Sequence, residues 1–287
     1  MSEWTIGIIG GSGLYEIDAL EDAQWIAVDT PWGTPSDALL IGRIAGVRFV
    51  FLPRHGRGHR IPPGDLNHRA NIDALKRAGC TDLVAISAIG SLREELAPGR
   101  FVVVDQFVDR TVRRESSFFG PGLVAHVSMA DPTCPRLSGL AADSAEAAGA
   151  AVTRGGCYLA MEGPQFSTRA ESRLYRQWGC DVIGMTAMPE AKLAREAELP
   201  YALVGMVTDY DCWRDGEEAD VARIVALLSA SAALARRLIV ELARRLPAER
   251  EPSPIDTNLD SAIITAPDAR DPAMVAKLDA ICRRVLG

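Results

Sequence analysis

Long apolar runs are missing from this sequence: even Ile6–Gly13 is broken by glycines and soon followed by Glu16 and Asp18. A membrane-spanning helix needs about 18 consecutive apolar residues, so no membrane partner is expected. The opening Met1-Ser2-Glu3-Trp4 has no basic region ahead of a short apolar run, so no secretory leader is expected and the cytoplasm is the expected location. Paired cysteines are missing too. The six, at 80, 134, 157, 180, 212 and 282, contain no CxxC, a spacing that fits neither a zinc knuckle nor a small disulfide scaffold. An excess of basic residues is also absent. Lys plus Arg number 31 against 38 Asp plus Glu, a net charge of −7, which argues against nucleic acid as a partner and requires any bound anion to be held locally. What is present is a 287-residue chain with 48% apolar and 24% charged residues, a folded protein long enough for a substantial core.

The hydrophobic pattern alternates between short β-rich runs and longer segments of helical period. Strands are predicted at Thr5–Ile9, Trp25–Val28, Ala38–Ile44, Arg48–Leu52, Leu83–Ala88, Phe101–Val104, Leu159–Met161, Val182–Met185 and Tyr201–Thr208, with Ala45-Gly46 turning a hairpin. Helices are predicted at Asn67–Ala78, Arg136–Ala148, Thr168–Trp178, Glu190–Glu198 and Ala219–Leu246, and a short terminal one at Pro272–Leu286. Strand and helix in this order imply one three-layer α/β domain, its mixed, largely parallel central sheet flanked by helices. That domain is placed at 1–246; the proline-bearing 247–254 starts a C-terminal tail, 247–287, expected to pack on the same domain or on a neighbouring subunit. The polar stretch Asp109–Pro132 is too long for an ordinary loop and is expected to be ordered by a partner.

Several segments at predicted strand ends carry chemistry. Gly10-Gly11-Ser12-Gly13 follows the first strand; it lacks the third glycine of a dinucleotide fingerprint and the Gly-Lys-Ser/Thr of a Walker loop. It fits either a cradle for a single phosphate or a tight turn. Pro53-Arg54-His55-Gly56-Arg57-Gly58-His59 places cations at a strand end, which reads as an anion pocket or a solvated basic turn. Ser87-Ala88 and Met185-Thr186 put small polar groups at two further carboxyl ends, where α/β sheets bind ligands. Phe166 and Ser167 precede a helix for which Thr168 and Glu171 form a capping box. Asp209 and Asp211 stand two residues apart among aromatics: they read as a proton-sharing pair, a metal pair without a third ligand, or a solvated acidic turn.

In order, IGIIGGSGLY, PRHGRGH, NIDALKRAGC, SAIGSLREEL, DQFVDRT, EGPQFSTRAES, MTAMPEA and VTDYDCW resemble the 5′-methylthioadenosine phosphorylases, trimeric members of the purine nucleoside phosphorylase superfamily, over about Ile6 to Glu218. The resemblance implies a phosphate site of Ser12, Arg54, His55, Ser87, Thr186 and the Ala88 backbone. It implies Met185 at the ribose, Phe166 at sugar and base, and Ser167, Asp209 and Asp211 at the purine. Val221, Ile224 and Val225 would surround the methylthio group, and His126 would reach the 5′ end from a neighbouring subunit of a homotrimer. Where animal members carry Thr, this sequence has Ser12 and Ser87; where they carry Asn it has Gly184.

The implied reaction is phosphorolysis of S-methyl-5′-thioadenosine to adenine and 5-methylthioribose 1-phosphate, in methionine and purine salvage. Phosphate attacks an oxocarbenium-like sugar while Asp209, protonated or sharing a proton, offsets charge at purine N7, so placement and electrostatics carry the rate. Phosphate is a co-substrate, and no metal or organic cofactor is implied. The rival within the enzyme class is a phosphorylase for 6-oxopurines or methylthioinosine. From another class, the rival is a non-catalytic purine nucleoside-binding protein.

Overall fold

The computed structural model describes residues 3–11, 13–214 and 221–287, and the side chains at 221–224, 226 and 228 lie outside it. β1 (Thr5–Gly10), β2 (Glu21–Ile26), β3 (Leu39–Ile44) and β4 (Val47–Pro53) come first. β3 and β4 form the expected hairpin: Ala45 and Gly46 take φ of 50° and 81°, positive at both turn positions, as the twist of paired strands favours. α1 (His68–Arg77) starts at Asn67, whose side chain accepts a hydrogen bond from the Ala70 amide. β5 (Asp82–Ser91), β6 (Phe101–Val104), β7 (Gln106–Asp109), α2 (Pro135–Ala147), β8 (Val152–Arg154), β9 (Cys157–Ala160) and α3 (Arg169–Gln177) follow. Thr168 and Glu171 close the start of α3 in the expected reciprocal capping box. The chain ends with β10 (Val182–Gly184), α4 (Ala187–Glu196), β11 (Tyr201–Asp209), α5 (Val221–Arg245), α6 (Pro272–Lys277) and α7 (Arg283–Leu286).

β5 determines where a cleft can form. Its residues 82–85 pair with β1 on one side, parallel, whereas Gly90 and Ser91 pair on that side with β10, antiparallel. Ile86–Ile89 therefore have no strand neighbour there, although β11 runs parallel along the other side. The sheet splits at this point, and the carboxyl ends of β1 and β4 face that of β10 across a gap. Parallel pairings join β1 to β4, β10 to β9 and β9 to β7, while β2, β3 and β4 are antiparallel neighbours, which is the mixed, largely parallel sheet expected.

Side chains alternate between two buried layers. Leu83, Ala85 and Leu203 pack with residues of α1 and α4, whereas Val84, Ile86 and Val204 pack with residues of α2 and α5. The tail packs on this same body: Trp4 Nε1 donates to the Pro247 carbonyl at 2.8 Å, and Leu259, Leu278 and Ile281 are buried in the first layer. The single terminal helix expected at Pro272–Leu286 is two short ones, because turning the chain between them buries Leu278, Ile281 and Cys282. β7 and β8, four and three residues long, were not expected, being too short to show an alternating pattern.

The 109–132 stretch is held by its own chain. Phe118 and Leu123 are fully buried, Ala125 bridges to Ile263, and Lys192 Nζ donates to Asp109 at 2.6 Å. Glu196, buried at the end of α4, accepts from Ser117 Oγ and the Phe118 amide, both at 2.7 Å. Burial pushes its carboxyl pKa up to about 7 despite these donors and the charge of Lys192. A folded-state pKa above the unfolded one means that the native state holds its proton longer, so this group costs stability as pH rises from about 5 through about 7. The loss is about 3 kcal/mol. Glu196→Gln is expected to flatten that part of the pH dependence, measured as urea unfolding free energies at pH 5 and pH 8; equal slopes in both proteins would place the titration elsewhere.

Candidate active site

The gap beside β5 opens into a cavity of about 570 Å³. Gly11 and Leu14 line it after β1, Arg54 and His55 after β4, Ser87 to Gly90 along β5, Ile183 to Thr186 at the end of β10, and Thr208, Asp209 and Asp211 at the end of β11. Phe166, Met185 and Val225 complete the walls. Of the residues expected at the site, Arg54, His55, Ser87, Ala88, Thr186, Phe166, Met185, Asp209, Asp211 and Val225 thus share one cavity. Ser12 and the side chains of Val221 and Ile224 lie outside the described residues. Ser167 does not line the cavity: its hydroxyl donates to Met161 Sδ at 3.3 Å and its carbonyl accepts from Cys212 Sγ at 3.2 Å. His126 lies in a separate hollow of about 380 Å³ with Phe119, Val127 and Glu196.

One end of the cavity gathers two hydroxyls, a histidine and a buried guanidinium. Ser87 Oγ and Thr186 Oγ1 sit 3.1 Å apart, bringing the ends of β5 and β10 together. Arg54, with 2% of its side chain exposed, donates from Nε and Nη2 to Glu190 Oε2 and Oε1 at 2.9 and 3.2 Å. Its Nη1 and Nη2 also donate to the Ile86 and Ile9 carbonyls, each at 3.3 Å. The anion that compensates this buried cation is therefore the chain's own Glu190, and Arg57 is likewise paired with Asp37 at 2.9 Å. The Ile61 carbonyl can only accept, so His55 Nδ1, 2.8 Å away, carries the proton. Burial and the Arg54 charge push the His55 pKa down to about 4, so the ring is neutral near pH 7.

The other end carries the two carboxylates. Asp209 Oδ1 accepts from the Asp211 amide and Oδ2 from Thr208 Oγ1, both at 2.7 Å, an arrangement that suits an ionised group. Asp211 has the uncommon φ of 53° and a buried Oδ2 with no hydrogen-bond partner among the described residues. Burial raises its pKa against the lowering effect of Ser172, and the neighbouring Asp209 adds to the rise. Sequence reading puts the shared proton on Asp209; this geometry favours Asp211. Gly184 is required by close approach, since a Cβ there would lie 2.1 Å from Tyr158 Oη, which leaves no room for an Asn.

Arg114 was not anticipated. Its side chain, 2% exposed, donates from Nη1 to the Met185 and Met188 carbonyls and from Nη2 to the Glu162 carbonyl, all at 2.6 Å. Its Nε reaches Glu162 Oε1 at 3.2 Å. One guanidinium thus ties the wall carrying Phe166 to the wall carrying Met185 and Thr186. In the run Arg110 to Arg114 nothing local separates this residue from solvated arginines. Glu190 and Tyr201, the supports of Arg54, were missed for the same reason.

The model of the family described as the Phosphorylase superfamily matches residues 5–244. An S-methyl-5′-thioadenosine phosphorylase of Cereibacter sphaeroides is 61% identical over 284 residues, 98% of each chain. One of Bradyrhizobium diazoefficiens is 58% identical over 289 residues, 100% of this chain and 99% of the relative. A crystal structure of a methylthioadenosine phosphorylase from an antarctic soil metagenomic library superposes with a TM-score of 0.93 at 42% identity, covering 98% of this chain and 99% of that one. The methylthioadenosine phosphorylase of Schistosoma mansoni in complex with adenine gives 0.85 at 37% identity, covering 91% and 99%.

Arg114→Ala leaves buried carbonyls and the Glu162 carboxylate without their donor, a loss expected to lower the unfolding free energy by about 3 kcal/mol or more. Arg114→Lys keeps the charge but not the planar fork and is expected to recover only part. Denaturant unfolding and amide exchange over 161–167 and 184–188 check this; unchanged exchange in both stretches would remove Arg114 from the site's support.

Proposed function

The chain belongs to the phosphorylase superfamily, and we propose that it cleaves S-methyl-5′-thioadenosine with inorganic phosphate, releasing adenine and 5-methylthioribose 1-phosphate. The observation that carries this reading is one cavity with an oxyanion end and a carboxylate end. The identities of 61% and 58% to relatives named for that substrate support it.

Phosphate is already a nucleophile, so the protein's task is to hold it against the anomeric carbon, with Ser87, Thr186, His55 and the one guanidinium hydrogen of Arg54 that has no partner among the described residues; the family resemblance adds Ser12. Phe166 and Met185 bound the sugar and base and Val225 the methylthio group, where the family resemblance adds Val221 and Ile224. As the glycosidic bond breaks, negative charge grows on the purine. A protonated carboxyl donating to N7 offsets it, and an ionised one accepts from the N6 amine. Asp211 is the natural donor and Asp209 the acceptor, with Ser167 behind the pair. The reading requires no metal or organic cofactor, because phosphate supplies the attacking group itself.

The family resemblance implies a homotrimer, and His126 supports it, lying in a hollow apart from its own chain's cavity where it would serve a neighbour's. Among the described residues no helix is long and apolar enough to cross a membrane, and the proposed setting is the cytoplasm.

Incubation with methylthioadenosine is expected to release adenine only when phosphate is added; release without phosphate, or none with it, would overturn the assignment. Methylthioinosine presents an O6 acceptor to an ionised carboxylate and is expected to be poorer by several orders of magnitude in kcat/KM. Asn at both positions, Asp209→Asn with Asp211→Asn, should move that ratio toward the 6-oxopurine by about a hundredfold or more. If the unaltered protein uses both nucleosides equally, the carboxylates do not read the base. Light scattering is expected to give three copies, and a fully active monomer would end the role of His126.

A further inference from the structure

Glu190 lies behind the cavity wall and is 2% exposed. Its carboxylate takes two N–H groups of Arg54, at 2.9 and 3.2 Å, and the Tyr201 hydroxyl donates to the same Oε1 at 2.8 Å. With the Ile9 and Ile86 carbonyls accepting from Arg54 as well, four of the five guanidinium N–H bonds are committed inside the protein. The charges are committed too. Arg54 and Glu190 cancel, His55 is neutral near pH 7, and the remaining cation that lines the cavity among the described residues, Arg60, has a side chain 64% exposed and is screened by solvent. A phosphate dianion entering this end meets fixed buried charges that sum to zero.

We propose that Glu190 is a positioning residue that sets the affinity of the phosphate site, by competing with phosphate for Arg54. This rests on the phosphorolysis reading. In a buried pair, removing one partner leaves the other charge uncompensated and hungry for a counter-ion. Without the Glu190 charge, phosphate itself becomes the counter-ion of Arg54 and is held more tightly, and the sugar phosphate that leaves the same site is held more tightly with it. The carboxylate thereby trades affinity for turnover.

Glu190→Gln keeps the shape and removes the charge. Its KM for phosphate is expected to fall by about tenfold or more, since one nearby charge at intermediate dielectric is worth at least that. KM for methylthioadenosine should change by less than about twofold by the same reasoning, its contacts being elsewhere in the cavity, and kcat should fall as the sugar phosphate leaves more slowly. A merely structural role predicts no such split. The second readout is thermal unfolding with and without inorganic phosphate: the variant should be less stable than the unaltered protein alone and gain more from phosphate. Tyr201→Phe, a milder change, removes a donor that shares Glu190 with Arg54, so the carboxylate grips Arg54 harder and KM for phosphate should rise. An unchanged or higher phosphate KM in Glu190→Gln, or an equal phosphate-induced shift in both proteins, overturns the proposal. If Glu190→Gln does not fold even in phosphate, an unchanged or lower phosphate KM in Tyr201→Phe overturns it. If the unaltered protein shows neither phosphate-dependent base release nor stabilisation by phosphate, the phosphorolysis reading falls, and this proposal with it.

Discussion

A guanidinium that is 2% exposed cannot lose its proton and cannot be left alone. Partners from several elements satisfy Arg54. The Ile9 carbonyl comes from β1, the Ile86 carbonyl from β5, the Glu190 carboxylate from α4, and the Tyr201 hydroxyl that steadies Glu190 from β11. Arg54 itself ends the β4 run. Four strands and a helix therefore converge on one charge, and any shift of one of them leaves a buried polar group unpaired. Burial and the Glu190 charge push the Tyr201 hydroxyl pKa well up, so it remains a donor at any ordinary pH.

That convergence lies where β5 changes partners. A ten-residue strand that pairs with β1 near its start and with β10 at its end leaves a gap between the two along Ile86–Ile89, and the cavity occupies it. The Arg54 end and the carboxylate end are thus held by neighbouring strand ends of one sheet. Arg114 performs the same service for the walls, where carbonyls of two loops would otherwise lack donors. Arg54 and Arg114 reach the interior where a carboxylate and several carbonyls meet them.

Features whose partners are close in sequence were legible from the sequence. The Thr168–Glu171 capping box, the Ala45-Gly46 turn and the Gly79 that ends α1 at φ 83° each depend on a few consecutive residues. The strand-end motifs were legible too, because glycine, hydroxyl and charge clusters at the ends of apolar runs are costly unless a ligand or a turn uses them. The contacts that hold 109–132 to its own chain, Phe118 with Glu196 and Ala125 with Ile263, were not legible because they join positions far apart in the chain.

The sequence by itself determined the α/β alternation, the segments that carry chemistry and the family they resemble, since periodicity and local motifs survive without coordinates. Only the tertiary structure decided that Glu190 rather than a ligand alone balances Arg54, and that His126 sits outside its chain's cavity. It also decided that burial raises the Asp211 carboxyl pKa and that Tyr158 excludes a side chain at residue 184. Each of these depends on distance and burial between remote residues, and both the cost of a buried charge and the pKa of a carboxyl are set by what surrounds them in space.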